Sequence, residues 1–269
     1  MNFGLIIIGD EILSGKRADK HLAKAIEILG ARGLQVAYAN YVGDSPERIT
    51  ETLKRAFLSG DIVFSFGGIG ATPDDHTRQC AAAALACGLQ LHPQAELLIR
   101  ERMQDVAREQ GVTYEPDRAD NIHRLNMGVF PVGAQIIPNP YNKIPGFSCN
   151  GSGGGHVHFV PGVPVMAWPM VEWVLDTHYS QYFVQGEWLE NSVIVFGAME
   201  ASLTPLMEEI ELNHPVKVFS LPSVDHPEYG RHIELGVKGG PAAVALAYAE
   251  LLGKLRQTDA VLGPELVRK

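Results

Sequence analysis

Apolar runs and helical periodicity alternate along the first third of the chain. Residues 5–8 form a continuous apolar run, which is typical of a strand covered on both faces. Leu22, Ile26 and Leu29 lie at spacings of four and three and predict a helix over residues 18–31. Further strands are predicted at 34–41 and 62–66, with a helix between them that runs from Asp44 to about residue 58. These repeated units predict an α/β domain with a mostly parallel sheet and right-handed crossovers.

The same pattern predicts the rest of this domain less completely. An Ala-rich helix follows His76 and should stop at Gly88. A longer helix is predicted at 94–110, a strand at 157–160 and a helix from 164 to about 182. Residues 128–155 are rich in proline and glycine and are predicted to be mostly loop, with one short strand at 134–137.

A second domain is predicted beyond a change of composition at Gln185-Gly186-Glu187. The pattern there is strand 192–196, helix 200–212, strands 216–221 and 231–237, and helix 241–255, a compact β-α-β-β-α unit. We therefore divide the chain into a first domain at 1–184, a small α/β domain at 185–258 and a loose tail at 259–269.

Composition narrows the class of protein. The 269 residues are 46% apolar and 20% charged, so a globular core is expected. The net charge of -9 argues against broad binding to nucleic acid or to an anionic membrane. No apolar stretch approaches the ~20 residues of a membrane span, and the first strand lacks the basic flank of a signal peptide. A cytoplasmic protein is expected, whose three cysteines pack in the core rather than forming disulfides.

Three polar or glycine-rich loops come directly after predicted strands. Their sequences are GDEILSG at 9–15, GGIGATPDDHT at 67–77 and PGVP at 161–164. Because ligands bind outside the carboxyl ends of strands in open parallel sheets, these loops are expected to meet at one crevice.

The loop at 67–77 has the groups of a phosphate site. Gly67, Gly68 and Gly70 permit positive φ and close approach of the backbone. Their N–H groups, with the N-terminus of the following helix, could hold an anion. Thr72 and Thr77 add hydroxyls. The loop matches neither GxxxxGK[ST] nor GxGxxG, so the P-loop and the nicotinamide fingerprint are excluded.

Asp74 and Asp75 in this loop admit two interpretations. Carboxylates beside a phosphate favour Mg²⁺ between them, and the cation would clamp phosphate oxygens and activate a water. Alternatively, one of them caps the helix that begins near His76. From the pattern alone the two interpretations are equally good.

Other polar residues have a structural alternative as well. Asp10, Glu11 and Ser14 could be ligands or a polar turn before a helix. Asp44 suits an N-cap, although it could share a metal with Asp75. Lys143, taken alone, has the pattern of a surface lysine. His156 and His158 alternate on a strand and share a face, but no third zinc ligand is evident nearby.

Taken in order, several motifs resemble one family. They are GDEILSG (9–15), VGD (42–44), GGIGATPDDHT (67–77), NP (139–140), PGF (145–147) and PGVP (161–164). In order and spacing they are similar to the competence/damage-inducible protein A (CinA) family, whose N-terminal domain belongs to the molybdopterin-binding superfamily. The resemblance implies a three-layer domain of that type. GAMEAS at 197–202 resembles the start of the family's KH-like domain, but we expect no RNA binding, because a GxxG loop is missing and the chain is acidic.

The resemblance implies a function of one of two kinds. One is ADP-ribose pyrophosphatase activity that depends on a divalent cation and is helped by K⁺. The other is binding of molybdopterin or its adenylylated form. It implies Asp75, Asp44 and Asp74 as catalytic residues, with Asp44 and Asp75 holding the metal. The ligand-binding residues implied are Gly9, Asp10, Glu11, Ser14, Gly67, Gly68, Gly70, Thr72, Thr77, Asn139, Lys143, Pro161, Gly162 and Pro164.

Three departures from the family pattern bear on activity. Val165 stands where the family usually has glutamate, so one acid of the site is missing. Asn142 and Ile144 replace the usual glycine and alanine, and Ala71 replaces a common proline. The hypotheses are therefore a Mg²⁺-dependent nucleotide diphosphate hydrolase, a binding module for a pterin phosphate or nucleotide, and, least supported, a nucleic-acid-associated protein. The family also implies a homo-oligomer, and its C-terminal nicotinamide mononucleotide deamidase activity is not expected here.

Overall fold

The computed structural model describes residues 2–184 and 189–268. The chain divides into two compact units, Met1–Val184 and Gln185–Lys269. The predicted composition change at Gln185-Gly186-Glu187 lies outside the described residues. Within the described residues, no helix has both the length and the apolar character needed to cross a membrane.

The first unit alternates strands and helices as predicted. In chain order its elements are β1 (Phe3–Ile8), α1 (Asp10–Leu13), α2 (His21–Gly30), β2 (Val36–Val42), α3 (Pro46–Leu58), β3 (Ile62–Phe66), α4 (Thr77–Ala84), β4 (Leu89–Leu91), α5 (Pro93–Glu109), α6 (Ala119–Arg124), β5 (Val129–Pro131), β6 (Gln135–Ile137), β7 (Gly146–Asn150), β8 (His156–Val160) and α7 (Pro164–His178), with 3-10 turns at Leu125–Gly128 and Ser180–Tyr182.

The central sheet has the strand order β2-β1-β3-β8-β7-β6. The pairs β1–β2, β1–β3 and β3–β8 are parallel, and the last two pairs are antiparallel. A separate short pair joins β4 to β5. The prediction of a mostly parallel sheet is confirmed.

The sheet is buried on both faces, which explains the continuous apolar run of β1. Ile6 and Ile8 pack in one cluster with Leu53 of α3. Leu5 and Ile7 point the other way and pack in a second cluster with α2 and α7. Because alternate residues of a strand face opposite sides, an apolar residue is needed at every position. The result is the predicted three-layer arrangement.

Residues 128–155 are mostly loop and contain the predicted short strand as β6, but the prediction missed two further strands, β5 and β7. Gly146–Asn150 forms β7, which pairs with β6 on one side and β8 on the other. Phe147 and Cys149 are buried on one face, while Ser148 on the other donates to His158 Nδ1 at 2.7 Å. Gly146 is required by packing, because a Cβ there would collide with the carbonyl oxygen of Phe159. The glycine that suggested a loop is thus a site of close strand contact.

Two helix ends also differ from prediction. The Ala-rich helix ends at Ala84 rather than at Gly88, and Ala86 takes the left-handed conformation with φ 52°. The helix predicted to reach residue 182 ends at His178 and is followed by the 3-10 turn. Local hydrogen bonds at the last turn fix these ends, and composition specifies them poorly.

The second unit is an antiparallel sheet with two helices. Its elements are β9 (Leu189–Phe196), α8 (Glu200–Asn213), β10 (Lys217–His226), β11 (Gly230–Gly239), α9 (Pro241–Leu255) and β12 (Val261–Arg268), with strand order β10-β11-β9-β12. Apolar residues of β9 and β11 pack with Leu251 and Leu255 of α9. The predicted β-α-β-β-α order is present, extended by one strand.

The predicted loose tail at 259–269 was therefore wrong. β12 pairs antiparallel with β9 from Val261 to Arg268, with an irregularity between Leu262 and Glu265. Arg268 forms an ion pair with Glu190 at 2.7 Å and a second one with Glu234. Pro264 lies at the irregularity, and an edge strand tolerates a proline there.

Candidate functional site

The three predicted loops meet at the carboxyl edge of the central sheet. Gly9 N–H donates to Val42 O at 3.0 Å, and Gly67 N–H donates to Val160 O at 3.0 Å. A Cβ on Gly162 would lie 3.3 Å from the Cα of Gly67. The loops after β1, β3 and β8 are consequently adjacent, as expected for parallel strands.

Thr77 supports the backbone conformation of the Gly67 loop, residues 67–77. Gly67 and Gly68 have φ of 95° and 68°. Thr77 is completely buried; its hydroxyl donates to Gly67 O at 3.1 Å, and its N–H donates to Gly68 O at 3.0 Å. A Cβ on Gly68 would collide with the Thr77 hydroxyl. Thr77, predicted as a ligand, therefore supports the loop instead of facing a ligand.

The backbone N–H groups in the middle of this loop are free. Among the described residues, the N–H groups of Gly68, Ile69, Gly70 and Ala71 have no hydrogen-bond partner. The next N–H group, that of Thr72, donates to Asp75 Oδ2 at 2.9 Å. A run of unpaired N–H groups in a glycine-rich turn is the feature that binds phosphate and other anions.

Asp75 closes the Gly67 loop rather than capping a helix. Its Oδ2 accepts from Thr72 N and from Thr72 Oγ1 at 2.5 Å, and its own N–H donates to Thr72 O at 3.0 Å. The N-cap of α4 is His76, which makes no side-chain capping bond. The capping alternative for Asp74 and Asp75 is excluded by this geometry. Oδ1 of Asp75 has no hydrogen-bond partner among the described residues.

Asp10 and Asp44 form a reciprocal pair. Asp10 N–H donates to Asp44 Oδ2 at 3.0 Å, and Asp44 N–H donates to Asp10 Oδ1 at 3.2 Å. The N-cap of α3 is Ser45, which accepts from Arg48 N, so the predicted cap at Asp44 was off by one residue. This shift leaves Asp44 free to face the loop after β1.

The electrostatics around Asp44 are unfavourable for a bare carboxylate. Burial raises its pKa, the N–H of Asp10 lowers it, and the carboxylates of Asp10, Glu11 and Asp74 raise it further. A concentration of negative charge that raises a carboxyl pKa is relieved by a bound cation.

The carboxylates of Asp10 and Asp44 supply some of the oxygen ligands that a hard cation needs. Asp44 Oδ1 and Asp10 Oδ2 have no partner in the described residues, and carboxylate oxygens are the ligands that Mg²⁺ prefers. No group of three or more histidine, cysteine or acidic side chains there is placed to hold a metal by itself. Mg²⁺ usually completes its coordination with water and phosphate oxygens, so two carboxylates fit it.

A cavity of about 290 Å³ lies against the Gly67 loop. We call it the apolar cavity. Its walls include Gly68, Gly70, Asp75, Met127, Ile144, Pro161, Gly162 and Met166. The volume is at the lower end of small-molecule sites, and apolar walls with few polar groups are typical of them. The cavity thus joins the loop's free N–H groups, one acid and an apolar surface.

The side chains of Asn139 and Lys143, both predicted as ligands, are engaged in contacts within the protein. Asn139 is buried: its Oδ1 accepts from Tyr141 N at 3.0 Å, and its Nδ2 donates to Asn142 Oδ1 and Ile144 O at 2.8 and 2.9 Å. It therefore shapes the cavity wall. Lys143 Nζ pairs with Asp105 at 2.7 Å and Glu101 at 3.5 Å, both on α5. Lys143 is absent from the cavity lining.

The remaining predicted residues have supporting positions. Ser14 ends α1, with its N–H on Asp10 O at 2.8 Å, and is exposed. Glu11 lies over Gly9, where a Cβ would approach Glu11 Oε2 to 2.5 Å. Pro164 starts α7. These contacts shape the loops after β1 and β8.

Two residues near the site were missed from the sequence. Arg78 is 4% exposed, and its Nη1 donates to Ile69 O at 3.1 Å. His21 stacks on Phe66 with ring centroids 4.5 Å apart, and its Nε2 donates to Gly162 O at 3.2 Å. An arginine in a first helical turn and a lone histidine both have surface-like patterns, so neither carried a signal.

Residues 4–179 match the family model described as a probable molybdopterin binding domain. The chain belongs to this family. A protein of Pyrobaculum calidifontis is 30% identical over 233 residues, which is 85% of either chain. A CinA-like protein of Anaeromyxobacter dehalogenans is 33% identical over 176 residues, 65% of this chain but 40% of that one. This chain thus spans less than half the length of that relative.

A solved structure gives the same family. The crystal structure of the protein CinA, with unknown function, from Thermoplasma acidophilum has a TM-score of 0.54 and 28% identity, and the match covers 65% of this chain and 96% of that one. The predicted resemblance to CinA-like, molybdopterin-binding-domain proteins is confirmed.

The residues at which the sequence analysis expected departures from the family pattern lie near the site. Val165 is 50% exposed in the first turn of α7, and the next residue, Met166, lines the apolar cavity. Ile144 lines the same cavity and packs with the α5 cluster that contains Ile99 and Met103.

Proposed function

We propose that this molybdopterin-binding-domain protein binds a phosphorylated small molecule that carries a planar ring, a pterin phosphate or a nucleotide. The phosphate would lie on the N–H groups of residues 68–71, and the ring would lie in the apolar cavity. The observation that carries this proposal is the run of unpaired loop N–H groups beside that cavity. Such a surface suits a ligand that combines an anionic group with a flat apolar ring.

We further propose hydrolysis of a nucleotide diphosphate of the ADP-ribose type as the reaction. Gly68 and Gly70 would orient one phosphate through the backbone. Burial and the carboxylates of Asp10, Glu11 and Asp74 raise the pKa of Asp44, and a bound cation would relieve this crowding of negative charge. A divalent cation held by Asp44 and Asp75, with Asp10 beside them and K⁺ as helper, would neutralise charge on the phosphate oxygens.

A second candidate, binding without turnover, is favoured by Val165. The first turn of α7 presents this half-exposed valine where the family usually has glutamate. If that acid is required for attack on phosphorus, the chain would bind its ligand and release it unchanged. Molybdopterin or its adenylylated form is the proposed ligand in that case.

One assay separates the two candidates. ADP-ribose is incubated with the protein, Mg²⁺ and K⁺, and AMP release is followed. The hydrolase proposal expects turnover that falls steeply in Asp44→Asn and Asp75→Asn. The matched control is Asp105→Asn on α5, whose carboxylate faces Lys143, and it should keep full activity.

Three results are informative. Turnover that is equal in Asp75→Asn and in wild type would refute the hydrolase proposal. Saturable binding of ADP-ribose without AMP release would favour the second candidate, and Val165→Glu should then introduce turnover. Absence of both binding and turnover would contradict a nucleotide ligand.

A further inference from the structure

Arg78 is a buried arginine that has no direct ion-pair partner among the described residues, although the Asp75 carboxylate acts on its charge from farther away. The side chain is 4% exposed and forms no ion pair with any described carboxylate. Its one hydrogen bond goes from Nη1 to the neutral carbonyl of Ile69 at 3.1 Å. A buried charge is costly unless it is paired, so this arrangement requires an explanation.

The position of Arg78 on its helix adds to that cost. Arg78 is the second residue of α4, and a helix N-terminus carries partial positive charge. A cation there is repelled, whereas an anion is attracted. Burial also lowers the pKa of the Arg78 guanidinium, and the Asp75 carboxylate opposes that shift. Both the burial and the helix end therefore favour an anion beside Arg78.

A neutral residue could support the loop equally well. The bond to Ile69 O needs only one N–H donor, which glutamine would supply without a buried charge. A guanidinium has five donors in a planar fork that matches carboxylate and phosphate. Structural support of the loop thus explains one donor of Arg78 and leaves the charge and the other donors unexplained.

Arg78 lines a second cavity beside the Gly67 loop. This polar cavity, of about 430 Å³, is also lined by Thr72, Asp75, His76, Gln79 and His123, among others. Its lining differs from that of the apolar cavity except for Asp75, which lines both.

The polar groups around the cavity are arranged for an anion. His123 Nε2 donates to Ala71 O at 3.0 Å, and this hydrogen bond connects α6 to the Gly67 loop. His76 and Gln79 have no side-chain hydrogen bonds among the described residues and remain available as donors. Asp75 is the one described carboxylate in the lining, and its Oδ2 already accepts two bonds from Thr72.

We propose that the polar cavity is an anion subsite in which the Arg78 guanidinium binds a phosphate group. His76 and Gln79 supply further donors. The subsite goes beyond the proposed function, because it lies in a different cavity from the one proposed for the ring, and the two linings share only Asp75 among the described residues. The phosphate comes either from a free inorganic anion or from a second phosphate of the ligand held in the apolar cavity.

The test is a titration with inorganic phosphate and pyrophosphate. The side-chain Nε–H signal of Arg78 is followed by NMR in the wild-type chain, and affinity is measured by calorimetry. Loss of a charge-assisted hydrogen bond weakens binding about tenfold or more, so Arg78→Met should lose at least that much. Arg78→Lys keeps the charge without the fork and should lie between. Arg108→Met, at an exposed arginine, is the matched control and should bind as wild type does.

Stability gives an independent readout. Without phosphate, Arg78→Met should be at least as stable as wild type, since a buried unpaired charge is removed. With phosphate, wild type should gain thermal stability and Arg78→Met should not. A phosphate-independent loss of stability in Arg78→Met would show that Arg78 is only a structural support, and would overturn the proposal.

The remaining outcomes are equally decisive. If phosphate moves the amide signals of residues 68–71 and leaves Arg78 Nε–H unchanged, the anion lies at the apolar cavity and the polar cavity is not an anion subsite. That result would leave the proposed function intact. If Arg78 binds phosphate, competition by AMP identifies the ligand's own phosphate as the source, and simultaneous binding identifies a free anion.

Discussion

Substitution of Gly68 by alanine tests the structure of the Gly67 loop directly. Gly68 has φ of 68°, and its Cβ would collide with the hydroxyl of the completely buried Thr77. The matched control is Gly15→Ala: Gly15 has φ of 72°, but a Cβ there meets nothing within 4 Å. The two variants share the backbone strain and differ in the collision.

The magnitudes follow from this comparison. Left-handed backbone at a non-glycine residue costs about 1–2 kcal/mol, offset by about 0.4–1 kcal/mol from the stiffer unfolded chain. Gly15→Ala should therefore lower the free energy of unfolding by about 1 kcal/mol. Overpacking costs a further ~1–3 kcal/mol, so Gly68→Ala should lose about 2–4 kcal/mol.

Urea unfolding can measure the difference in the first unit alone. Trp168 and Trp173 both lie on α7, and the third tryptophan, Trp188, is removed as Trp188→Phe so that fluorescence reports this unit. Two units need not unfold together, which makes a local probe necessary. Equal losses in Gly68→Ala and Gly15→Ala would refute the packing of Thr77 under the loop. Adding Thr77→Ala to Gly68→Ala should recover part of the loss, as expected of residues in contact.

Three other predictions concern charge and buried hydrogen bonds. The fold raises the pKa of Asp44, so the ionised carboxylate opposes folding at any pH above its ordinary pKa. Asp44→Asn should therefore be more stable than wild type at neutral pH without metal, as measured by calorimetry. The same variant should lose any rise in melting temperature that Mg²⁺ causes. Burial lowers the pKa of His158 from 6.5 to about 3. The contribution of the neutral ring to the free energy of unfolding is therefore complete above pH 6.5 and falls by up to about 1.4 kcal/mol per pH unit as the pH drops toward 3. His158→Gln should flatten this dependence of the unfolding free energy on pH in urea titrations. Asn139→Ala should lower the free energy of unfolding by about 2–4 kcal/mol, because it removes buried hydrogen bonds that shape the cavity wall. Lys143→Ala removes an exposed ion pair and should lower it by less than about 1 kcal/mol. Equal losses of the two variants in urea unfolding would contradict these roles.

The central sheet could be predicted because its strands are buried on both faces. Every position of β1 needs an apolar residue, and a continuous apolar run is visible in sequence. β7 was missed because Gly146, needed for close contact with Phe159, has the composition of a loop. β12 was missed because the last residues of the chain were expected to be loose, whereas they pair with β9. Long-range pairing decided both strands, and no local pattern encodes it.

The candidate site was predictable in its loops and less so in its side chains. Loop positions follow from topology, so the meeting of the segments after β1, β3 and β8 could be expected. Roles depend on contacts between distant segments: Asp44 bonds to Asp10, and Asn139 bonds within its own loop. Arg78 could not be predicted, since its burial arises only when α4 packs beneath the loop.

The most direct test of the central claim is the response of the loop amides to ligand. ADP-ribose is titrated with Mg²⁺ into the ¹⁵N-labelled chain, with Gly15 as an exposed reference outside the cavity. The account predicts saturable shifts of the N–H signals of Gly68, Ile69, Gly70 and Ala71, which have no partner among the described residues. Saturable binding that leaves these four signals unmoved would contradict it.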